Sequence, residues 1–307
     1  MRSEGEAEES SLPYLVRSAV RAEGLRAVVP AGLAWAFLHP PRRLHGSNPR
    51  LSLGIAYERV QFKTVDEVTI RGWFVPPPAS QPTRGFVVIS HGYNGNRSNM
   101  LPYLRFLHPA GYAALLYDFR AHGWSGGKMA SFGFREPLDL KAAIAWGRNN
   151  PQTAYLPLLL LGESMGAATS LLVAADVPEV RAVVADSAFA RFDTAVEGRM
   201  VSAFGPVVGG ALHPHTQRHG ERLLGVRCAD IAPEEAIARI APRPVLLVQG
   251  GRDKLVTPDN AHRLLAASHG CAELWDVPEA AHVASVYTRA GEYGPRVLAF
   301  LERILTQ

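Results

Sequence analysis

Leu156-Pro157-Leu158-Leu159-Leu160-Leu161-Gly162-Glu163-Ser164-Met165-Gly166 joins an apolar run to a Gly-x-Ser-x-Gly turn. Small and apolar residues follow at helical spacing: Ala167, Ala168, Ser170, Leu171, Leu172, Ala174 and Ala175. The pattern predicts a buried strand, a sharp turn and a helix. A serine hydroxyl is a weak nucleophile, and such a turn holds it where a base can reach it. Glycines on both flanks remove side chains that would crowd the turn. The first N–H groups of the helix lack intrahelical acceptors, so they point to where an oxyanion would develop. Gly-x-Ser-x-Gly also occurs by chance in plain turns. The strand before it and the helix after it are what lift this one above chance.

On either side of this stretch, buried apolar runs alternate with helical patterns. Tyr57 to Thr64 and Val68 to Val75 each alternate around the turn residues Asp66-Glu67, which reads as an antiparallel hairpin. Strands are expected at Gly85–Ser90, Tyr112–Asp118, Val180–Asp186, Pro244–Gln249 and Glu273–Val277. Helices are expected at Leu101–Ala110, Arg135–Asn149, Asp259–Ala267 and Gly291–Leu305. This order predicts an α/β chain with a mostly parallel sheet covered on both faces. Residues 189–235 break the rhythm. That stretch is long for a connection and carries helix-like pieces such as Ala195–Phe204, so it reads as a cap insertion over the sheet edge, with a plain surface insertion as the alternative. The division expected is an N-terminal helical extension (1–50), a core (51–188 and 236–307) and the cap (189–235).

Composition excludes more than it assigns. The 307 residues carry a formal net charge of +4. The only lysines are Lys63, Lys128, Lys141 and Lys254, and the arginines are scattered rather than blocked. No nucleic-acid partner is expected from this pattern. Cys228 and Cys271 form neither a disulfide framework nor a CxxC metal pattern, so a reducing compartment is expected, with one disulfide as the alternative. His213, His215 and His219 lie close together, but no carboxylate stands at a convincing ligand spacing. No metal and no cofactor are expected.

The acidic start, Met1-Arg2-Ser3-Glu4-Gly5-Glu6, does not read as a secretory signal, which points to a cytoplasmic protein. Ala27 to Leu38 is apolar but shorter than the roughly 20 residues a membrane-spanning helix needs. Arg17, Arg21 and Arg26 precede it, and Arg42 and Arg43 follow. Two readings are open: a helix packed on the body of the protein, or an interfacial membrane anchor or substrate-entry helix within residues 11–40.

A nucleophilic serine needs a base, the base needs an acid to orient it, and the oxyanion needs donors. On a strand-turn-helix elbow the chain order is serine, acid, histidine. Asp253 follows the strand Pro244–Gln249 in Gly250-Gly251-Arg252-Asp253, at the correct sheet edge. Asp186 is the main rival acid, and Asp276 lies mid-strand. His282 follows the last strand and is the expected base. The oxyanion donors expected are the N–H groups of Met165 and of Tyr93, in the loop His91-Gly92-Tyr93-Asn94-Gly95. His91 reads as a structural residue of that loop.

With these residues assembled, the chain resembles the alpha/beta-hydrolase superfamily and, within it, the bacterial serine-aminopeptidase-like and esterase-like group. The matching pieces are His91-Gly92-Tyr93, the block Asp118-Phe119-Arg120-Ala121-His122-Gly123-Trp124-Ser125-Gly126-Gly127, the Gly162–Gly166 elbow, Asp186-Ser187-Ala188-Phe189, Asp253 and His282. They span roughly residues 55–305. The resemblance implies an eight-stranded, mostly parallel sheet. It carries the catalytic roles to Ser164, Asp253 and His282, and it makes the block containing His122 structural. Glu163 stands where many relatives carry His, Asn or Gln.

The function expected is hydrolysis of a small-molecule carboxylic ester through an acyl-enzyme. A peptidase or amidase would use the same triad and would want an acidic pocket for a free amine; Glu197, Glu221, Asp230, Glu234 and Glu235 are available in the insertion. A non-catalytic binding protein on the same fold is the third reading.

Overall fold

The structure, a computed structural model, describes residues 28–306. The expectations for residues 1–27 lie outside the described residues. The described chain opens with α1 (Val28–Leu38) and the short α2 (Pro49–Leu53), followed by the hairpin β1 (Glu58–Lys63) and β2 (Thr69–Val75). Alternating units follow: β3 (Gly85–Ser90), α3 (Leu101–Leu107), β4 (Tyr112–Asp118), α4 (Glu136–Asn149), β5 (Leu158–Glu163), α5 (Met165–Asp176) and β6 (Val180–Asp186). Next come α6 (Phe192–Leu224) and α7 (Pro233–Ala238). The chain closes with β7 (Val245–Gly250), α8 (Pro258–Ala267), β8 (Ala272–Val277), α9 (Ser285–Thr288) and α10 (Ala290–Leu305).

The eight strands form one sheet in the order β1-β2-β4-β3-β5-β6-β7-β8. β1 and β2 pair antiparallel, and so do β2 and β4; every other pairing is parallel. The order matches the alpha/beta-hydrolase expectation. β3, β4, β5 and β7 are buried along their whole length. That explains why they read as unbroken apolar runs: helices cover both faces, so neither face needs polar residues. Successive side chains alternate between two cores. Val88, Leu115, Leu160 and Leu247 face one core with α4, α5, α7 and α8, while Ile89, Leu116, Leu161 and Val248 face the other with α3 and α10.

Two elements differ from the sequence reading. The helix expected over Leu101–Ala110 begins as a 3-10 turn at Arg97–Met100 and ends at Leu107. Pro109, which has no N–H, and Gly111 at φ 90° stop it. The helical pieces expected in the insertion are one 33-residue element, α6, bent at Gly205. Gly205 sits at φ 78°, a conformation that glycine adopts without strain, and Pro206 cannot donate to the preceding turn. Beyond the bend the limbs run close together: a Cβ on Gly209 would meet the Met200 carbonyl oxygen at 2.4 Å.

α1 packs against α6 and buries Pro30, Ala31, Ala34 and Leu38. Its described part therefore packs on the body of the protein. Among the described residues no helix is long and apolar enough to cross a membrane.

Candidate active site

The turn after β5 places Ser164 at φ 51° and ψ −115°. A non-glycine residue pays about 1–3 kcal/mol for such a backbone and persists there only where its surroundings impose it. Here they do. The Ser164 N–H donates to the Asp186 carbonyl at 2.8 Å. A Cβ on Gly166 would lie 2.3 Å from the Ser90 carbonyl oxygen, and one on Gly162 would lie 2.4 Å from Gly166. The two glycines let three strand ends close around the serine.

Three loops deliver side chains to this point. His282 Nε2 lies 2.9 Å from Ser164 Oγ, and His282 Nδ1 lies 2.7 Å from Asp253 Oδ2. Asp253 is buried, and its Oδ1 accepts the N–H groups of Leu255 and Val256, each at 2.9 Å. A carboxylate can only accept, so Nδ1 carries the proton and Nε2 is left to accept from the serine hydroxyl. Ser164, Asp253 and His282, separate in sequence, thus form one hydrogen-bonded chain.

Asp186, the rival acid, faces elsewhere. It accepts from the Tyr293 hydroxyl at 2.9 Å and from the Ser187 hydroxyl at 2.9 Å. Ser187 Oγ in turn accepts the N–H of Val283, next to the histidine, at 3.2 Å. Asp186 therefore braces the turn that carries His282 without touching the imidazole. Burial pushes its carboxyl up to about 6. Asp276 stands on β8, mid-strand as read from sequence.

The loop carrying Tyr93 is held by two buried histidines. His91 Nδ1 donates to the Gly92 carbonyl at 2.7 Å, and its Nε2 accepts the Phe119 N–H at 3.0 Å. His122 Nδ1 donates to the Arg120 carbonyl at 2.8 Å, and its Nε2 accepts the Asn94 N–H at 3.2 Å. Burial lowers the basicity of both rings, so both stay neutral and keep these roles. Arg120 is pinned between Asp139 (2.7 Å) and Asp66 (2.8 Å). Gly92 brings the loop beside the serine, where a Cβ would come 3.3 Å from Ser164 Cβ. Met165 occupies the first position of α5, where an N–H has no intrahelical acceptor.

Ser164 and His282 open into a cavity of about 90 Å³. Its walls are apolar and come from α1 (Phe37, Leu38), the loops (Tyr93, Phe132, Phe189) and α6 (Phe192, Val196). Among the described residues no Asp or Glu lines it, and Arg199 is its one charged residue. The sequence leaves α1 open between a packed helix and an anchor or substrate-entry helix; that it walls this cavity is set by packing that nothing in an apolar helix declares. Glu163, beside the nucleophile, does not line the cavity. It is buried behind the elbow, accepting from the Tyr103 hydroxyl at 2.6 Å. Burial pushes its carboxyl up to about 8, with the charge of Asp186 adding to the effect.

Cys228 lines the cavity as a free thiol that burial pushes up to about 12, and Cys271 is also free. Among the described residues no group of three or more His, Cys, Asp or Glu could hold a metal ion.

Fold and site together define an alpha/beta hydrolase. The model of the family "Serine aminopeptidase, S33" matches residues 81–239, just over half of the chain, and the chain belongs to this family. An uncharacterised Bacillus subtilis protein, YqkD, is 30% identical over 238 residues, covering 76% of each chain. An uncharacterised Escherichia coli protein, YfhR, is 25% identical over 270 residues, covering 86% of each. Among solved structures, the Pyrococcus furiosus esterase Pf2001 superposes with a TM-score of 0.73 and 29% identity, over 88% of this chain and 98% of that one.

Proposed function

We propose that this hydrolase cleaves carboxylic esters through an acyl-enzyme on Ser164. His282 Nε2 takes the hydroxyl proton as Oγ attacks the acyl carbon. The N–H groups of Tyr93 and Met165 receive the oxyanion, each contributing about 3 kcal/mol of transition-state stabilisation. His282 passes its proton to the departing alcohol as the tetrahedral centre collapses. Water then attacks the acyl carbon, with His282 again as base, and Ser164 regains its proton as the acid leaves. Asp253 holds the imidazole tautomer and stabilises the imidazolium. Residues 189–235 serve as a cap whose α6 walls the acyl side.

The observation that carries the reading is the 2.9 Å approach of His282 Nε2 to Ser164 Oγ at the floor of an apolar cavity. Apolar walls suit an acyl chain, because burial of its methylenes is favourable by about 0.8 kcal/mol each. The esterase likeness points the same way. An aminopeptidase would need a carboxylate to receive the free amine of its substrate. The five carboxylates considered for that role lie elsewhere: Glu221 accepts the Cys228 N–H, Asp230 pairs with Arg227, Glu234 with Arg263 and Arg191, Glu235 with Arg191, and Glu197 is exposed.

The test is a series of chromogenic esters of increasing acyl length beside aminoacyl amides. Turnover of the esters, dependent on acyl length, with amides cleaved far more slowly, is the expected result. Preference for aminoacyl amides would instead assign a peptidase.

A further inference from the structure

Beside the edge hairpin lies a second cleft, of about 510 Å³, that shares no lining residue with the cavity at Ser164. The register of the edge hairpin builds one wall. Arg59 opposes Trp73 and Gln61 opposes Arg71, and cross-strand partners share a face of the sheet. Arg59, Arg71 and Trp73 therefore converge on the cleft, and Arg97 joins them from the 3-10 turn after β3. Three guanidinium groups line it, and among the described residues no Asp or Glu does.

Arg97 is 6% exposed. Its guanidinium carbon lies over the Trp73 ring, 4.6 Å from the centroid. Its Nε and Nη1 are buried and find no hydrogen-bond acceptor. The nearest carboxylate, Asp118, stands 3.6 Å from Nη1, too far for a hydrogen bond. That carboxylate is already engaged: Oδ1 takes the Arg97 N–H at 2.8 Å, and Oδ2 takes the Trp124 N–H at 2.9 Å and His45 Nε2 at 3.0 Å. His45 is neutral, since burial lowers its ring to about 4. Arg59 and Arg71 are exposed, and neither side chain has a carboxylate partner among the described residues.

Three cations against one fully engaged carboxylate leave a surplus of two positive charges. Like charges so placed repel one another, and a buried cation with unused donors is costly. The repulsion falls when a dianion enters, and arginine forks match the oxygen spacing of phosphate. Tyr57, which packs edge-on to Trp73 at 5.5 Å, and Trp124, 54% exposed at the rim, offer ring faces beside the charge.

We propose that this cleft binds the phosphate group of a phosphate monoester, with an aromatic or apolar body lying against Tyr57 and Trp124. Such a group belongs either to a soluble metabolite or to a lipid headgroup. The site is separate from the ester-hydrolysing centre and does not depend on its chemistry.

The test is calorimetric titration with phenyl phosphate, beside co-sedimentation with phosphatidylcholine vesicles containing phosphatidic acid. The wild type is compared with the double variant Arg59→Gln/Arg71→Gln; both residues are exposed, and an unchanged melting temperature shows that the variant folds. Saturable binding of phenyl phosphate, weakened about tenfold or more in the double variant, is expected for a soluble ligand. Vesicle binding lost in the double variant, with no binding of phenyl phosphate, assigns the phosphate to a headgroup. Wild-type protein that binds neither probe, or a double variant that binds as well as wild type, overturns the proposal.

Discussion

The Tyr93 hydroxyl donates a 2.8 Å hydrogen bond to the carbonyl oxygen of Phe37, tying the loop after β3 to the C-terminal end of α1. One residue thus lends its backbone to the proposed oxyanion site and its side chain to the wall of the cavity at Ser164. Tyr93→Phe keeps the backbone N–H and removes only this tie. Stability is expected to fall by about 1 kcal/mol in urea unfolding. The rate constant kcat on a short ester should fall less than about tenfold, because no oxyanion donor is lost. A loss of about a thousandfold would mean that the side chain, not the backbone, serves the reaction.

Asp253 and Asp186 are both buried near His282, and only Asp253 reaches the imidazole. Asp253→Asn would present an amide donor toward Nδ1 and favour the wrong tautomer, so kcat is expected to fall about 10^4-fold with the fold retained. Asp186→Asn keeps an acceptor for Tyr293 and should cost less than about tenfold in kcat. Equal losses in the two variants, measured with the same ester, would remove the distinction drawn between them.

Glu163 gives a stability signature. Its folded carboxyl titrates at about 8, above the 4.5 of an unburied glutamate, so the folded state holds the proton more tightly than the unfolded chain. The stabilisation from the neutral form is complete below about pH 4.5 and is lost as pH rises to about 8. Glutamine keeps the oxygen that accepts from Tyr103 and never ionises. Glu163→Gln should melt close to wild type at pH 4.5 and progressively higher than wild type up to pH 8, with no further gain above that. Parallel melting curves across this range would show that Glu163 is ionised in the fold throughout.

Gly166→Ala probes the elbow itself. Its Cβ would sit 2.3 Å from the Ser90 carbonyl, inside the contact distance of any two heavy atoms, and backbone cannot swing aside as a side-chain tip can. A stability loss above about 3 kcal/mol, or failure to fold, is expected from circular dichroism and urea unfolding. A variant as stable as wild type would mean that the strand ends do not close on the serine as described.

Much of this was legible in the chain. The buried strands announced themselves as apolar runs because both faces are covered, and the β4 run Tyr112–Asp118 matches its expected limits. The convergence of Ser164, Asp253 and His282 was legible because strand order fixes which loops share an edge. What stayed hidden depends on distant packing. Nothing local to α1 tells that Phe37 walls the cavity, and nothing local to Glu163 tells that it turns back to Tyr103. The bend at Gly205 was marked by Gly205-Pro206, but the continuity of α6 on either side depends on how the limbs pack.

The proposed reaction rests on Ser164 as a nucleophile activated by His282. The most direct measurement is intact-protein mass spectrometry after treatment with a fluorophosphonate, comparing wild type, Ser164→Ala and His282→Ala. One adduct is expected on wild type, mapped to Ser164, none on Ser164→Ala, and labelling of His282→Ala slowed by several orders of magnitude; on an ester, Ser164→Ala should lose about 10^6 in kcat while remaining folded. An unlabelled wild type, or a Ser164→Ala protein that still takes the label or still turns over ester at the wild-type rate, would contradict it.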